Sequence, residues 1–275
     1  MVVEDEGTEP TSGSESRAAT GPDFLLITAD RMPDRGPRYT ETPPDPYALD
    51  APFIAEPWNT VTASFFIVIV GFWAWRLVGR YRKYPFLCFG LSILLAGGIG
   101  GTLYHATRVS VVYFLLDVIP IQALGLAGSI FLLVRVGRTA GWKRMTLYGG
   151  GAVAFYLLVT KVLFLNLQST SLGNNPFLRV NLSYASLALL ILTPMVAVLI
   201  RTRFRYGGWV VAGFISFVIA WFFRLYDQKW GAYLPMGTHW LWHTFGAITT
   251  ALIFEYFYRV EGETQDKTLV ANPRA

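Results

Sequence analysis

Apolar residues in this chain gather into long stretches separated by short clusters of basic and turn-forming residues. The stretches run Val61–Val78, Pro85–Tyr104, Val111–Val134, Thr146–Leu165, Val180–Ile200, Trp209–Leu225 and Trp240–Tyr258. Each is about twenty residues long, the length an α-helix needs to cross a hydrocarbon core roughly 30 Å thick. Backbone in lipid must satisfy its own hydrogen bonds, so each stretch is predicted to be helical. The pattern predicts an all-α polytopic membrane protein, a bundle of seven transmembrane helices spanning residues 51–260. Residues 1–50 are rich in Pro, Gly, Ser, Thr and acids, which bury too little apolar surface to offset ordering entropy, so a disordered tail is expected. Within it, Phe24 to Ile27 offers the alternative of a short docking strand. Residues 261–275 are expected to form a second tail. No apolar core precedes Phe24, so no signal peptide is expected, and the first span is expected to drive insertion.

Charge refines the picture. The net charge is +5 with 15% charged and 53% hydrophobic residues, too greasy for an ordinary soluble domain. The basic residues sit between apolar runs as they do in loops at a membrane surface, which argues against nucleic acid as a partner. Arg76, Arg80, Arg82 and Lys83 follow the first span, Arg135, Arg138, Lys143 and Arg144 the third, and Arg201, Arg203 and Arg205 the fifth. The alternate loops carry only Arg108, Arg179, Arg224 and Lys229. The positive-inside rule therefore places the C-terminus in the cytosol and the N-terminus outside or in a lumen. The single cysteine, Cys88, excludes an internal disulfide.

The chain has three histidines, His105, His239 and His243. By span counting they fall at a similar depth, in the outer third of the membrane, with Asp117 about two turns into the third span. His239 and His243 share a helix face one turn apart. With His105 from another helix they make a three-nitrogen set that leaves a fourth position open, the pattern of catalytic zinc. Zinc lowers the pKa of a coordinated water to about 7, and Asp117 is the candidate to orient that water and shuttle its proton. The blander alternatives are interfacial histidines bonding water and an Asp117 ion pair with Lys161 or Arg224. An ionisable group inside a span is nevertheless costly and usually functional. Gly97, Gly98, Gly100 and Gly101 mark either close helix approach or a weak, bent helix end. Glu255 reads as solvated, Arg224, Asp227 and Lys229 as an interfacial cluster with contact to a substrate headgroup as the alternative, and Trp58, Trp209, Trp230, Trp240 and Trp242 as an aromatic belt with ligand stacking as the alternative.

Four segments together resemble the alkaline ceramidases, within a wider superfamily of seven-span membrane hydrolases. They are FIAEPWNTV (Phe53–Val61), YHAT (Tyr104–Thr107), LLDVIP (Leu115–Pro120) and HWLWHTFG (His239–Gly246). Their order and spacing match over residues 53–258. The resemblance implies a zinc-dependent amidohydrolase acting on a linear amide, that of ceramide or a related N-acyl sphingoid lipid. It implies His105, His239 and His243 as zinc ligands, Asp117 as acid/base partner, and an endoplasmic reticulum or Golgi membrane if the source is eukaryotic. Two departures stand out. Gly101 occupies the position of a family serine thought to steady the oxyanion, leaving Thr102 as the candidate substitute. Calcium, bound in the family with the Glu of the opening stretch, is doubtful here: Glu56 is present, but six to eight oxygen ligands are not in evidence. The alternative is that Glu56 and Asn59 pin the first span. Gly101 also favours a second function, a seven-span lipid sensor whose metal is structural. A third, ion transport, is disfavoured because the polar groups cluster on one side.

Overall fold

The structure is a computed structural model and describes residues 34–141, 143, 146, 147, 149–151, 153, 154 and 176–271. Among these residues it is all-helical, without strands. The helices are α1 (Pro57–Ala63), α2 (Phe65–Arg76), α3 (Pro85–Thr107), α4 (Val111–Ala140), α5 (Pro176–Arg201), α6 (Gly207–Trp230) and α7 (His239–Ala271). Among the described residues, five helical stretches are long and apolar enough to cross a membrane: Pro57–Arg76, Pro85–Thr107, Val111–Val136, Val180–Arg201 and Gly207–Trp230. The first of these is α1 and α2 run together, with Ser64 between them in the right-handed helical region. The fourth expected span, Thr146–Leu165, lies largely outside the described residues, although its described positions are helical. So do Phe24–Ile27 and Lys161. α7 is long but less apolar, because His239, His243, Thr249, Thr250 and Glu255 interrupt it.

Local signals set the helix starts. Pro57 and Pro85 open α1 and α3, where the missing N–H costs nothing. At the start of α3 the amides of Phe86 and Leu87 donate to Glu261 at 2.7 and 3.1 Å, a cap supplied from α7. Residues 261–263 therefore belong to the bundle, correcting the expectation of a tail from 261 onward. Large apolar side chains such as Val68, Phe72, Phe89, Ile119, Ile130, Val211 and Phe214 point outward, as lipid-facing residues do.

Packing in such a bundle rests on close van der Waals contact and small residues rather than on escape from water. α3 lies against α4, α6 against α7 and α4 against α5. The glycine run settles as close approach within an unbroken helix. A Cβ at Gly100 would stand 2.7 Å from the backbone carbonyl carbon of Leu116, and one at Gly97 would stand 3.0 Å from Pro120 Cβ. Far from the histidines, Trp73, Leu77, Tyr84, Leu87, Leu132, Met195 and Tyr256 form the main buried cluster. There Glu255 is buried between Arg76 and Arg259, 2.7 Å from the latter, rather than solvated. Trp242 is buried against Tyr184 and Phe217 rather than lying in an aromatic belt.

Gly100→Ala is expected to push α3 and α4 apart and destabilise the fold by about 1–3 kcal/mol. Gly71→Ala, with nothing within 4 Å of the added carbon, should be harmless. Thermal unfolding of both variants in detergent tests the contrast.

Candidate metal centre

The last turn of α3 and the first two turns of α7 meet at one end of the bundle. His105 comes from α3, and His239 and His243 come from one face of α7. All three are buried. One nitrogen from each lies within 4.8 Å of the other two. His105 Nε2 and His243 Nε2 are 3.0 Å apart, and the rings of His239 and His243 are 4.7 Å apart, nearly perpendicular. The sequence-predicted convergence of three histidines is thus present in the geometry.

The donor set fits a metal ion on two grounds. His105 Nδ1 lies 2.5 Å from Glu56 Oε2, which assigns its proton to Nδ1 and leaves Nε2 as a lone pair aimed at His243. A carboxylate behind a ligating imidazole is the usual orienting partner at metal sites. In addition, His239 Nδ1 is buried without a hydrogen-bond partner, a cost that a metal bond would remove.

Glu56 is the hub behind this centre. Its Oε1 accepts from Thr42 Oγ1 and Arg108 Nη1, and its Oε2 accepts from Asn59 Nδ2 at 2.9 Å besides facing His105. Its backbone amide donates to His105 O at 3.1 Å. Burial opposes ionisation of Glu56, but the charge of Arg108 and the hydrogen bonds from His105 and Thr42 outweigh it and hold the carboxyl well below the usual range. Arg108 follows α3 in the left-handed region, at φ 53°. That strained backbone is compensated by the buried guanidinium, which reaches Asp34 Oδ2 at 2.7 Å and Pro37 O at 2.9 Å.

Asp34 and Pro37 belong to the segment expected to be a tail. Residues 34–42 instead form a strap across the histidines, with Asp34, Tyr39 and Thr42 buried. Hydrophobicity could not reveal this, because the strap is held by polar contacts. Tyr39 stacks on His239, ring centroids 3.6 Å apart at 13°. Burial pushes the Tyr39 phenol up to about 12, with Arg224 pulling the other way. Beyond it, Asp227 accepts from the amides of Thr40 (2.8 Å), Thr238 (2.7 Å) and His239 (2.8 Å), tying the strap to the start of α7. Arg224 and Asp227 are therefore buried parts of the site, not interfacial charges.

The remaining candidates are placed differently. Asp117 stands outside the three-nitrogen cluster, on α4 facing α3; a Cβ at Gly101 would lie 2.5 Å from its Oδ1. Thr102 Oγ1 donates to Gly98 O at 2.7 Å and is spent within its own helix. Asp117 and His243 sit at one end of an apolar cavity of about 260 Å³. It runs down the bundle past Leu124, Leu187 and Ile191 to Phe254 and Phe257. From His243 to Phe257, fourteen residues along α7, this is roughly 21 Å.

No family model, curated protein or solved structure matches this chain. Geometry and chemistry therefore carry the functional argument. In the sequence Tyr39 carries no mark of a site residue, and Arg108 and Asp227 read only as loop and interfacial charges. The one signal available for them was an arginine directly after YHAT on the side otherwise poor in basic residues.

Glu56→Gln keeps the shape of the hub but removes its charge. It is expected to weaken zinc affinity about 10–100-fold, measured by competition with a chelator. Unchanged affinity would remove Glu56 from the metal centre.

Proposed function

We propose that the chain is a seven-span membrane hydrolase of the alkaline ceramidase kind, cleaving the amide of ceramide or a related N-acyl sphingoid lipid. Its N-terminus faces the lumen or exterior and its C-terminus the cytosol, in an endoplasmic reticulum or Golgi membrane if the source is eukaryotic. The observation that carries the reading is the join, at His243, of a buried histidine triad to an apolar cavity roughly 21 Å long. A lipid that lays one acyl chain along Leu124, Leu187 and Phe254 brings its polar linkage to Asp117 and His243.

His105, His239 and His243 are the residues that would hold zinc. Zinc bound there supplies Lewis-acid polarisation of a carbonyl and activation of water. Glu56 orients His105 and fixes its tautomer, and Asp227 fixes the backbone of His239. Asp117, at the histidine end of the cavity, is the group that would take a proton from water and return it to the amide nitrogen. The apolar cavity walls lower the local dielectric, which strengthens each of these interactions. Calcium has no place in this reading, because both Glu56 oxygens are already taken by protein donors.

A second reading, a lipid sensor with a structural metal and little turnover, draws support from the strap over His239 and from the spent hydroxyl of Thr102.

Purified protein is expected to contain zinc by elemental analysis and to release fatty acid from ceramide. His239→Ala should abolish release while leaving a folded, monodisperse protein. Zinc present with intact lipid bound, and no release across a broad panel of amide lipids, would favour the sensor.

A further inference from the structure

The strap is fastened on both sides of Tyr39. Asp34 is held by Arg108 on one side, and Thr40 by Asp227 on the other, while Gln228 Nε2 donates to Arg38 O at 2.8 Å. Covering one imidazole with a ring does not require that many polar anchors. What they fix is the position of the phenol oxygen.

That oxygen accepts from Arg224 Nη2 at 3.4 Å. Its own proton has no acceptor among the described residues. Arg224 is itself held, by Asn181 Oδ1 at 2.7 Å and against the rings of Tyr184 and Trp242. A guanidinium on a phenol oxygen polarises the O–H and makes it a stronger donor. On α3, Gly101 has no hydroxyl, that of Thr102 is bound to Gly98, and that of Tyr104, though unpartnered, lies against Gly36 of the strap. Of these hydroxyls, that of Tyr39 takes a hydrogen bond from a guanidinium and belongs to a ring stacked on His239.

We propose that Tyr39 is a further catalytic residue of the hydrolase described above, donating its phenol O–H to the oxygen of the scissile carbonyl, with Arg224 as its positioning residue. The inference rests on the hydrolase reading. Water oxygen adds to the amide carbon, the carbonyl π pair moves onto its oxygen, and Asp117 takes the water proton. Tyr39 stabilises that oxygen and keeps its own proton. The pair then returns, the C–N bond breaks, and the amine departs with the proton from Asp117, giving a free fatty acid and a sphingoid amine. Donors aimed at such an oxygen are typically worth about 10²–10³ in rate.

The test uses the full-length protein in detergent or nanodiscs with Y39F, which keeps the stacked ring and loses the hydroxyl. Zinc content, melting temperature and KM for ceramide should match wild type, with kcat lower by about 10²-fold. Binding supplies a readout independent of turnover. A tetrahedral phosphonate analogue of ceramide should bind Y39F far more weakly, while an ether analogue without the carbonyl binds both proteins alike. R224K, which loses the Nη2 bond but keeps the charge, should lower kcat roughly tenfold at unchanged zinc content, and it stands in should Y39F misfold. Wild-type kcat and phosphonate affinity in these variants would overturn the role, as would higher turnover in Y39F, which marks the strap as a plug. A wild-type protein inert on amide lipids would instead overturn the hydrolase reading and this inference with it.

Discussion

A buried carboxylate surrounded by donors is the constraint on which the polar end of this molecule depends. Glu56 has no exposure to solvent and meets Arg108, His105, Thr42 and Asn59 at once. An ionised carboxylate withdrawn from water costs several kcal/mol unless its lone pairs are all engaged. Deleting one partner of such a pair typically costs about 3–5 kcal/mol because the other charge is left buried. Three parts of the fold therefore move together: the end of α3 that carries His105, the left-handed turn at Arg108, and the strap that supplies Asp34 and Thr42.

The two ends of the bundle solve different physical problems. At the histidine end, charges are buried and must be matched, so contacts are polar and directional. At the opposite end, Arg76 and Arg259 bracket Glu255, and Arg76 also lies over the rings of Trp73 and Tyr258. Between them, small residues bring the helices together in places while leaving the cavity open along α7. Gly97 and Gly100 draw α3 onto α4, and Gly213 lies against Ile253. Uniformly tight packing would have closed that cavity, and its apolar walls suit hydrocarbon rather than water.

The strap changes how the histidine end is best understood. A site open to the surface would leave His239 hydrated, whereas Tyr39 replaces water on one face of its ring. Lowering the local dielectric in this way strengthens the pairing of Glu56 with Arg108 and the field felt at the histidines. The same backbone amide cluster at Asp227 holds both the strap and the start of α7, so the position of His239 and that of Tyr39 are set by one carboxylate.

The sequence by itself determined the helices that hydrophobicity can mark. Runs of about twenty apolar residues have one stable form in lipid, and that form is decided locally. It also determined that His239 and His243 share a face, since helix periodicity alone fixes i and i+4. Span counting was enough to bring His105 to the same depth. Tertiary structure alone decided the rest. Tyr39 and Asp34 come from a stretch whose composition reads as disorder, and they are held by Arg108, Arg224 and Asp227, distant in sequence. Glu255 read as solvated and Trp242 as interfacial because composition cannot say which partner a polar or amphipathic side chain will face. Apolar burial is additive and short-ranged in sequence, so it leaves a pattern. Charge pairing is specific to one geometry, and that geometry exists only once the helices have packed.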